Sequence, residues 1–285
     1  MTLPKLIGVA LAALLLIAPA ARAEVLDPVD GFHVAALDGT RLWNHEDPDS
    51  RYTLVDGDGQ SLGLKRSGRY TPFDVSLGTD TEGRLLAVYS RCVGIESCSL
   101  YADDLATATE RSLGLKGKSP ALSDGVLAYA RGRSLYIGRL GTTPHRIAHV
   151  DDRGFEGMSI ASSARGVAFA SDSDIGTTLY FKPAGGAVRR LAHAGLVSQD
   201  GGHMSPVWHD GRLYWAFKDY PRSWVIRYSL SSHRADAAPV RGELDSLAFD
   251  GPTLITSVAF DERGQVATFD APAWGRAPAR AGLGR

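Results

Sequence analysis

Acidic, hydroxyl and imidazole side chains recur beside the first strand of each repeated unit in this chain, and such groups are suited to ligand binding. A mixed set of carboxylates, hydroxyls and imidazoles could bind a polar ligand or a cation. We predict ligand binding by His33, Asp74, Glu156, His203 and Asp245, with Ser119, Ser159 and Ser205 beside them. His203 and Asp245 are favoured because adjacent turns carry Asp200 and Glu243. The alternative is a structural role, in which these groups hydrogen bond to one another and to water.

No residue is assigned a catalytic role. The two cysteines, Cys92 and Cys98, are predicted to pair with each other, which leaves no free thiol as a nucleophile. Carboxylates from distant units can still converge in a folded chain, and sequence spacing does not show whether they do. A hydrolase or lyase acting on a glycan or related polymer therefore stays open as an alternative, with Asp74, Glu156 and Asp245 as its acids.

No metal or other cofactor is predicted. His145 and His149 are four residues apart, which on a strand places them about 13 Å apart, too far for one metal ion. The acidic turn that begins at Asp56 lacks the glutamate of a calcium loop at its twelfth position, where Ser67 stands. This turn and the one that begins at Asp172 are predicted to be turns in which an aspartate caps backbone N–H groups.

The first 23 residues are predicted to be a secretory signal peptide. Lys5 precedes an apolar run, and Ala21-Arg22-Ala23 forms a small-x-small cleavage site. The run is short for a bilayer span, which disfavours a retained anchor.

In an oxidising compartment Cys92 and Cys98, with five residues between them, are predicted to form a disulfide across a hairpin. A loop this short contributes about 2 kcal/mol of stability.

The charge balance argues against two classes of partner. Without residues 1–23 the chain keeps 29 basic and 32 acidic residues, a net charge of −3, and the two signs are well mixed along the sequence. This balance is not typical of a nucleic-acid surface or of a polybasic membrane contact. We therefore expect no nucleic-acid partner and no stable membrane span after signal cleavage.

Six turns mark the repeat that must position the polar residues. Their glycines, at positions 39, 83, 125, 166, 211 and 251, are spaced by 44, 42, 41, 45 and 40 residues. Each turn precedes an apolar strand, such as Leu85–Tyr89 or Val126–Ala130, whose continuous apolar character indicates burial on both faces. Sheets stacked face to face in a ring satisfy this pattern. The predicted fold is all-β, a six-bladed β-propeller of four-stranded antiparallel blades.

The propeller is predicted to span residues 24–274 as a single domain, with residues 275–285 as a flexible C-terminal tail. The last unit lacks a convincing fourth strand, because Pro272, Pro278 and the Gly/Ala/Arg-rich tail are poor strand formers. We predict that the segment from Glu24 to Val29 supplies this edge strand and closes the ring.

Two stretches resemble the repeat of TolB-type (WD40-like) β-propellers. VAFASDSDIGTTLYFKPAGGAVRRLAHAG, from Val167, carries a Ser-Asp-rich turn, a Leu-Tyr strand, a glycine hairpin and an Arg-Leu strand. SPALSDGVLAYARGRSLYIGRL, from Ser119, carries the Ser-Pro, Asp-Gly and apolar-strand portion. Glu82 and Arg165 replace the usual Asp before glycine, and no N-terminal domain like that of periplasmic TolB fits before the first blade. The resemblance implies a propeller and a binding function, without implying the Tol machinery.

The leading hypothesis is a secreted, non-enzymatic, monomeric binding module in the cell envelope or outside the cell. Its expected partner is an envelope or extracellular protein or glycan, and a purely structural module used for assembly is a third possibility. Trp43, Tyr220, Trp224 and Trp274 could form an exposed aromatic binding face, whereas Trp208 and Trp215 are predicted to be core.

Overall fold

The computed structural model describes residues 23–27, 31–93, 97–150, 155–173, 176–195, 205–219, 222–260, 263–269 and 274–277. Within these ranges, no helix has the length and apolar character needed to cross a membrane. In chain order the strands are β1 (Ala23–Asp27), β2 (Gly31–Leu37), β3 (Thr40–Glu46), β4 (Tyr52–Asp56), β5 (Asp74–Thr79), β6 (Leu85–Cys92), β7 (Cys98–Asp104), β8 (Thr109–Lys116), β9 (Lys118–Ser123), β10 (Val126–Arg131), β11 (Ser134–Arg139), β12 (His145–His149), β13 (Phe155–Ser163), β14 (Gly166–Ser173), β15 (Gly176–Pro183), β16 (Arg189–Gly195), β17 (Val207–His209), β18 (Arg212–Asp219), β19 (Arg222–Ser229), β20 (Arg234–Arg241), β21 (Glu243–Asp250), β22 (Thr253–Phe260), β23 (Arg263–Phe269) and β24 (Gly275–Arg276).

These strands form six antiparallel sheets, which we call blades 1 to 6 in chain order. Blade 1 contains β2–β4, blade 2 β5–β8, blade 3 β9–β12, blade 4 β13–β16, blade 5 β17–β20 with β24, and blade 6 β21–β23 with β1. The predicted six-bladed propeller is confirmed, and four strands is the usual number per blade. Among the described residues blade 1 has three strands, and β24 adds a short fifth strand to blade 5.

The first strand of each blade is its innermost strand, and neighbouring inner strands run in the same direction. Near the start of β9, the N–H of Ser119 donates to the Asp74 carboxylate at the start of β5, at 3.0 Å. Past the end of β9, the N–H of Gly125 donates to the Thr79 carbonyl at the end of β5, at 2.8 Å. All inner strands therefore begin at one face. We call the channel opening at that face the N-terminal mouth and the opposite one the C-terminal mouth.

The repeated turns lie at the C-terminal mouth and need backbone conformations that few residues adopt. Asp124 and Gly125 have φ values of 49° and 73°. A side chain at Gly125 would also collide with Thr81 of the preceding blade. The Asp-Gly pair is therefore selected both by the hairpin geometry and by the approach of the neighbouring blade.

Packing between blades buries the second strand of each blade on both faces. Every residue of β14 is buried, as its continuous apolar pattern predicts. Trp215 is fully buried between blades 4 and 5, as predicted. The expectation of an exposed Trp43 was wrong: this side chain is 1% exposed and packs with Val34, Ile255 and Val266. Its indole fills the blade 6 to blade 1 junction that closes the ring.

The ring is closed by β1, which confirms the predicted role of the segment after residue 23. Val25 pairs with Ala267 and Asp27 with Val266 of β23, so β1 forms the outer strand of blade 6. The Asp27 carboxylate also reaches blade 1, where it accepts a hydrogen bond from the Trp43 indole N–H at 2.9 Å and lies 3.1 Å from Nδ1 of His45. This strand therefore joins the last blade to the first.

Two local predictions are also confirmed. Cys92 and Cys98 form a disulfide that bridges β6 and β7 at a paired register position. The turn after β4 is an aspartate-capped turn, because one Asp56 carboxylate oxygen accepts the N–H groups of Asp58 and Gln60 at 3.0 and 2.8 Å.

Candidate functional site

A central channel of about 1560 Å³ runs between the inner strands. It extends along the whole of β9 and as far as Asp124 in the turn that follows, and residues from all six blades line it. This volume exceeds that of a typical small-molecule pocket, about 300–1,000 Å³. The channel can therefore accept a chain segment or an extended ligand.

Most of the predicted ligand-binding residues within the described ranges line this channel. His33, Asp74, Ser119, Ser159, Ser205 and Asp245 all contribute to its wall. His203 lies outside the described residues, and the side chain of Glu156 is likewise not described. The prediction that these two residues contribute to the site therefore stays a prediction.

Irregular backbone turns several of these residues toward the N-terminal mouth. His33 and Ser119 have positive φ values of 46° and 49°, which non-glycine residues rarely adopt. The register of β2 shifts around His33, and that of β21 shifts between Leu244 and Ser246, which places Asp245 at the shift. Such bulges re-aim side chains, and strained backbone of this kind concentrates at functional sites.

Asp74 joins blades 2 and 3 at this mouth. Its Oδ2 accepts hydrogen bonds from the Ser90 hydroxyl and the Ser119 N–H, each at 3.0 Å. One donor belongs to blade 2 and the other to blade 3. The carboxylate is therefore held in a fixed position at the boundary between the two blades.

Asp245 ends a hydrogen-bond chain that joins blades 1 and 6. The Val34 N–H donates to Ser246 at 2.9 Å, the Ser246 hydroxyl donates to Ser257 at 3.2 Å, and Ser257 donates to Asp245 at 3.0 Å. His33 Nε2 lies 4.0 Å from Oδ2 of the same carboxylate. A histidine and a carboxylate are thus brought together, whereas Asp74 lies on the other side of blade 1.

The described residues contain no group of three or more histidine, cysteine, aspartate or glutamate side chains placed to hold a metal ion. His149, one of the pair at spacing four, has Nδ1 3.0 Å from the Ser134 hydroxyl. Asp172 lines the channel and accepts a hydrogen bond from the Thr177 hydroxyl at 2.7 Å; its predicted capping of backbone N–H groups stays a prediction.

One part of the N-terminal mouth is basic and partly apolar, and it was not predicted from the sequence. Lys116, Lys118, Arg131 and Tyr70 line the channel, beside the disulfide of blade 2. Two signals in the sequence could have located the cations: Lys118 directly precedes Ser119, and Arg131 begins the hairpin after the apolar strand of blade 3. Tyr70 had no such signal, because it lies in the irregular segment between β4 and β5.

An ion pair fixes the disulfide hairpin beside this mouth. Arg91 donates to the Glu110 carboxylate at 2.8 Å and lies 3.8 Å from the centre of the Tyr101 ring. Burial raises the pKa of Glu110, but hydrogen bonds from Arg91 and Tyr89 outweigh this effect and hold the pKa below its usual range. The glutamate therefore stays ionised and continues to anchor Arg91.

Comparison with known proteins identifies the fold. No protein-family model matches the sequence, and no curated protein sequence matches it. TolB from Acinetobacter baumannii is 17% identical, with a TM-score of 0.56 over 81% of this chain and 64% of that one, so this chain spans less than two thirds of TolB. A Bacteroides thetaiotaomicron protein of unknown function is 13% identical, with a TM-score of 0.59 over 88% and 76% of the two chains. A protein assigned as a gluconolactonase is 15% identical, with a TM-score of 0.52 over 91% and 95%. These chains share the β-propeller fold.

Proposed function

We propose that this chain is a TolB-type, non-enzymatic binding propeller that binds a protein or a glycan at its N-terminal mouth. The observation that carries this proposal is the wide channel whose mouth residues are fixed by hydrogen bonds within and between blades. Asp74 is held by Ser90 and Ser119, and Asp245 by Ser257. A pre-organised polar rim lowers the entropy cost of binding an extended ligand.

The proposed compartment is the cell envelope or the extracellular space. The predicted signal peptide and the disulfide support it, because stable disulfides form in oxidising compartments. The structural likeness to TolB and the resemblance of the repeats support the assignment to a binding class of propeller.

Photocrosslinking in intact cells tests the mouth as the binding surface. A benzophenone amino acid would replace Tyr70 at the N-terminal mouth, Asp124 at the C-terminal mouth or Arg111 on the outer strand of blade 2. We expect a discrete crosslinked product from position 70 and weaker or no products from positions 124 and 111. Equal crosslinking from all three positions, or none from position 70, would contradict the proposal.

A hydrolase or lyase acting on a glycan is the second candidate, and the approach of His33 to Asp245 favours it. An imidazole near a carboxylate can act as a general base, and such contacts often tighten when substrate binds. Purified protein would be assayed on aldonolactones, polyuronates and neutral glycans. Turnover that is lost in both His33→Ala and Asp245→Asn would support this candidate, and no turnover of any of these substrates would count against it.

A further inference from the structure

We propose that blades 2 and 3 form a docking surface at the N-terminal mouth for an acidic peptide segment of a partner protein. This surface, which we call the rim patch, comprises Tyr70, Val93, Lys116, Lys118 and Arg131. The proposal rests on the proposed binding function and specifies the chemistry of the ligand.

Among the described residues, the cations of the rim patch have no anionic partner. Within the described part of the chain, no carboxylate lies within 4.0 Å of the charged groups of Lys116, Lys118 or Arg131; Lys116 donates only to the Ser99 hydroxyl, at 2.8 Å. Elsewhere the fold pairs its arginines closely, as in Arg41 with Asp250 and Arg227 with Asp236, each at 2.7 Å. Cations that converge on a channel with no carboxylate beside them among the described residues favour a carboxylate-bearing ligand.

Strand register brings these cations to one end of the channel. Lys118 begins β9 and pairs with Ala130, the residue before Arg131. Lys116 pairs with Ser99 at the start of β7, next to the disulfide. The three charges therefore occupy one sector of the mouth, where an extended acidic segment can contact them in series.

Two exposed apolar side chains border the same sector. Tyr70 is 73% exposed and Val93 is 88% exposed, whereas most large apolar side chains in the described ranges are buried. Val93 directly follows Cys92, and the Cys92 carbonyl accepts the N–H of Gly68 at 3.1 Å, which joins the two segments that carry Tyr70 and Val93. Exposed aromatic residues next to cations are typical of the energetically dominant part of a protein interface.

The fold holds Tyr70 outward in a strained conformation. Its φ is 56°, and its N–H donates to the Ser50 carbonyl at 2.9 Å. The flanking segment is braced by Arg69, which donates to the Asp49 carbonyl at 3.1 Å, and by Thr71, which donates to the Gly68 carbonyl at 2.9 Å. A strained backbone conformation persists only where the surrounding structure imposes it. Here the surrounding hydrogen bonds hold the Tyr70 ring exposed to solvent.

Phage display on the purified mature chain tests the ligand class directly. Random twelve-residue peptides would be selected on residues 24–285, and the best binders would be measured by fluorescence anisotropy. We expect the selected peptides to be rich in Asp and Glu with at least one apolar residue. Lys118→Glu/Arg131→Glu should weaken their binding about tenfold or more, and Tyr70→Ala about tenfold.

Arg111→Glu/Arg146→Glu is the matched control, because it makes the same charge change on the outer strands of the same two blades. We expect it to weaken binding less than about twofold. Selected peptides without acidic residues, or equal losses in the two double variants, would overturn the rim patch. Polygalacturonate binding without any peptide binding would also overturn it, in favour of a glycan.

The two proposals fail separately. If crosslinking from position 70 persists while the rim-patch charge reversals leave peptide binding unchanged, the mouth binds a ligand of different chemistry. If crosslinking, peptide binding and polygalacturonate binding are all absent, the binding function itself is refuted along with the rim patch.

Discussion

Asp103 on β7 is a carboxylic acid that is only 2% exposed. Among the described residues its Oδ1 has no hydrogen-bond partner, unlike the carboxylates of Asp74 and Asp245 at the mouth. Burial raises the pKa of Asp103, and the nearby charges of Glu110 and Asp104 raise it further. The native state therefore holds the Asp103 proton more tightly than the unfolded chain does.

This raised pKa predicts how stability changes with pH. The protonated Asp103 carboxyl adds to the stability of the folded state. This stabilisation is fully present below the pKa of Asp103 in the unfolded chain, about 4, and is lost as the pH rises through its higher pKa in the folded state. We expect Asp103→Asn, which cannot ionise, to leave Tm unchanged near pH 4 and to raise it by about 2–4 °C at pH 7. Thermal melts across this range measure the difference, with exposed Asp58→Asn as the control. A lower Tm for Asp103→Asn at pH 7 would show that the carboxylate is needed in its ionised form.

At the scale of elements, β1 is held in place by backbone pairing with β23 and by the hydrogen bond of its Asp27 side chain to blade 1. Asp27 accepts from the Trp43 indole, which is buried in the core between blades 6 and 1. Removing the carboxylate leaves this buried N–H without its acceptor, and such a loss costs about 1–3 kcal/mol.

We therefore expect Asp27→Ala to lower the free energy of unfolding by about 1–3 kcal/mol in urea denaturation. Glu24→Ala on the same strand is the control, because the Glu24 side chain is exposed and Thr268 contacts only its backbone carbonyl. Equal effects of the two substitutions would indicate that strand pairing alone holds β1.

Elements of this fold could be predicted from sequence because their determinants are local. The Asp-Gly turns reflect positive φ at positions such as Asp124 and Gly125, and the apolar second strands reflect burial on both faces. Lys118 and Arg131 each had a local signal in the sequence, but their convergence in the rim patch could not be predicted in the same way, because it depends on strand register and on the order of blades. The exposure of Trp43 was misjudged because its burial depends on β1 and blade 6, both distant in sequence.

At the scale of the whole molecule, blades 1 and 6 are joined by β1 and by contacts from the β2–β3 hairpin of blade 1 to the end of β21. The Gly39 N–H and the Arg41 guanidinium both donate to the Asp250 carboxylate, at 2.8 and 2.7 Å. These contacts remain when β1 is removed, but the outer strand of blade 6 and the acceptor for Trp43 are lost.

Deleting residues 24–27 should therefore weaken the ring at one junction. Hydrogen exchange measured by mass spectrometry should show the largest loss of amide protection in blades 6 and 1, and much less in blades 3 and 4. Uniform loss of protection around the ring would instead mean that all six blades open as a single cooperative unit.

The pairing of β1 with β23 also orders events during biosynthesis. Val25 is among the first described residues to leave the ribosome, and its partner Ala267 is among the last. Until β23 arrives, blade 6 is incomplete and β1 has no strand to pair with. The nascent chain thus carries an unsatisfied strand throughout its synthesis, and such exposed edges promote aggregation. Closure of the ring is consequently a late, long-range event that waits for β1 and β23 to pair.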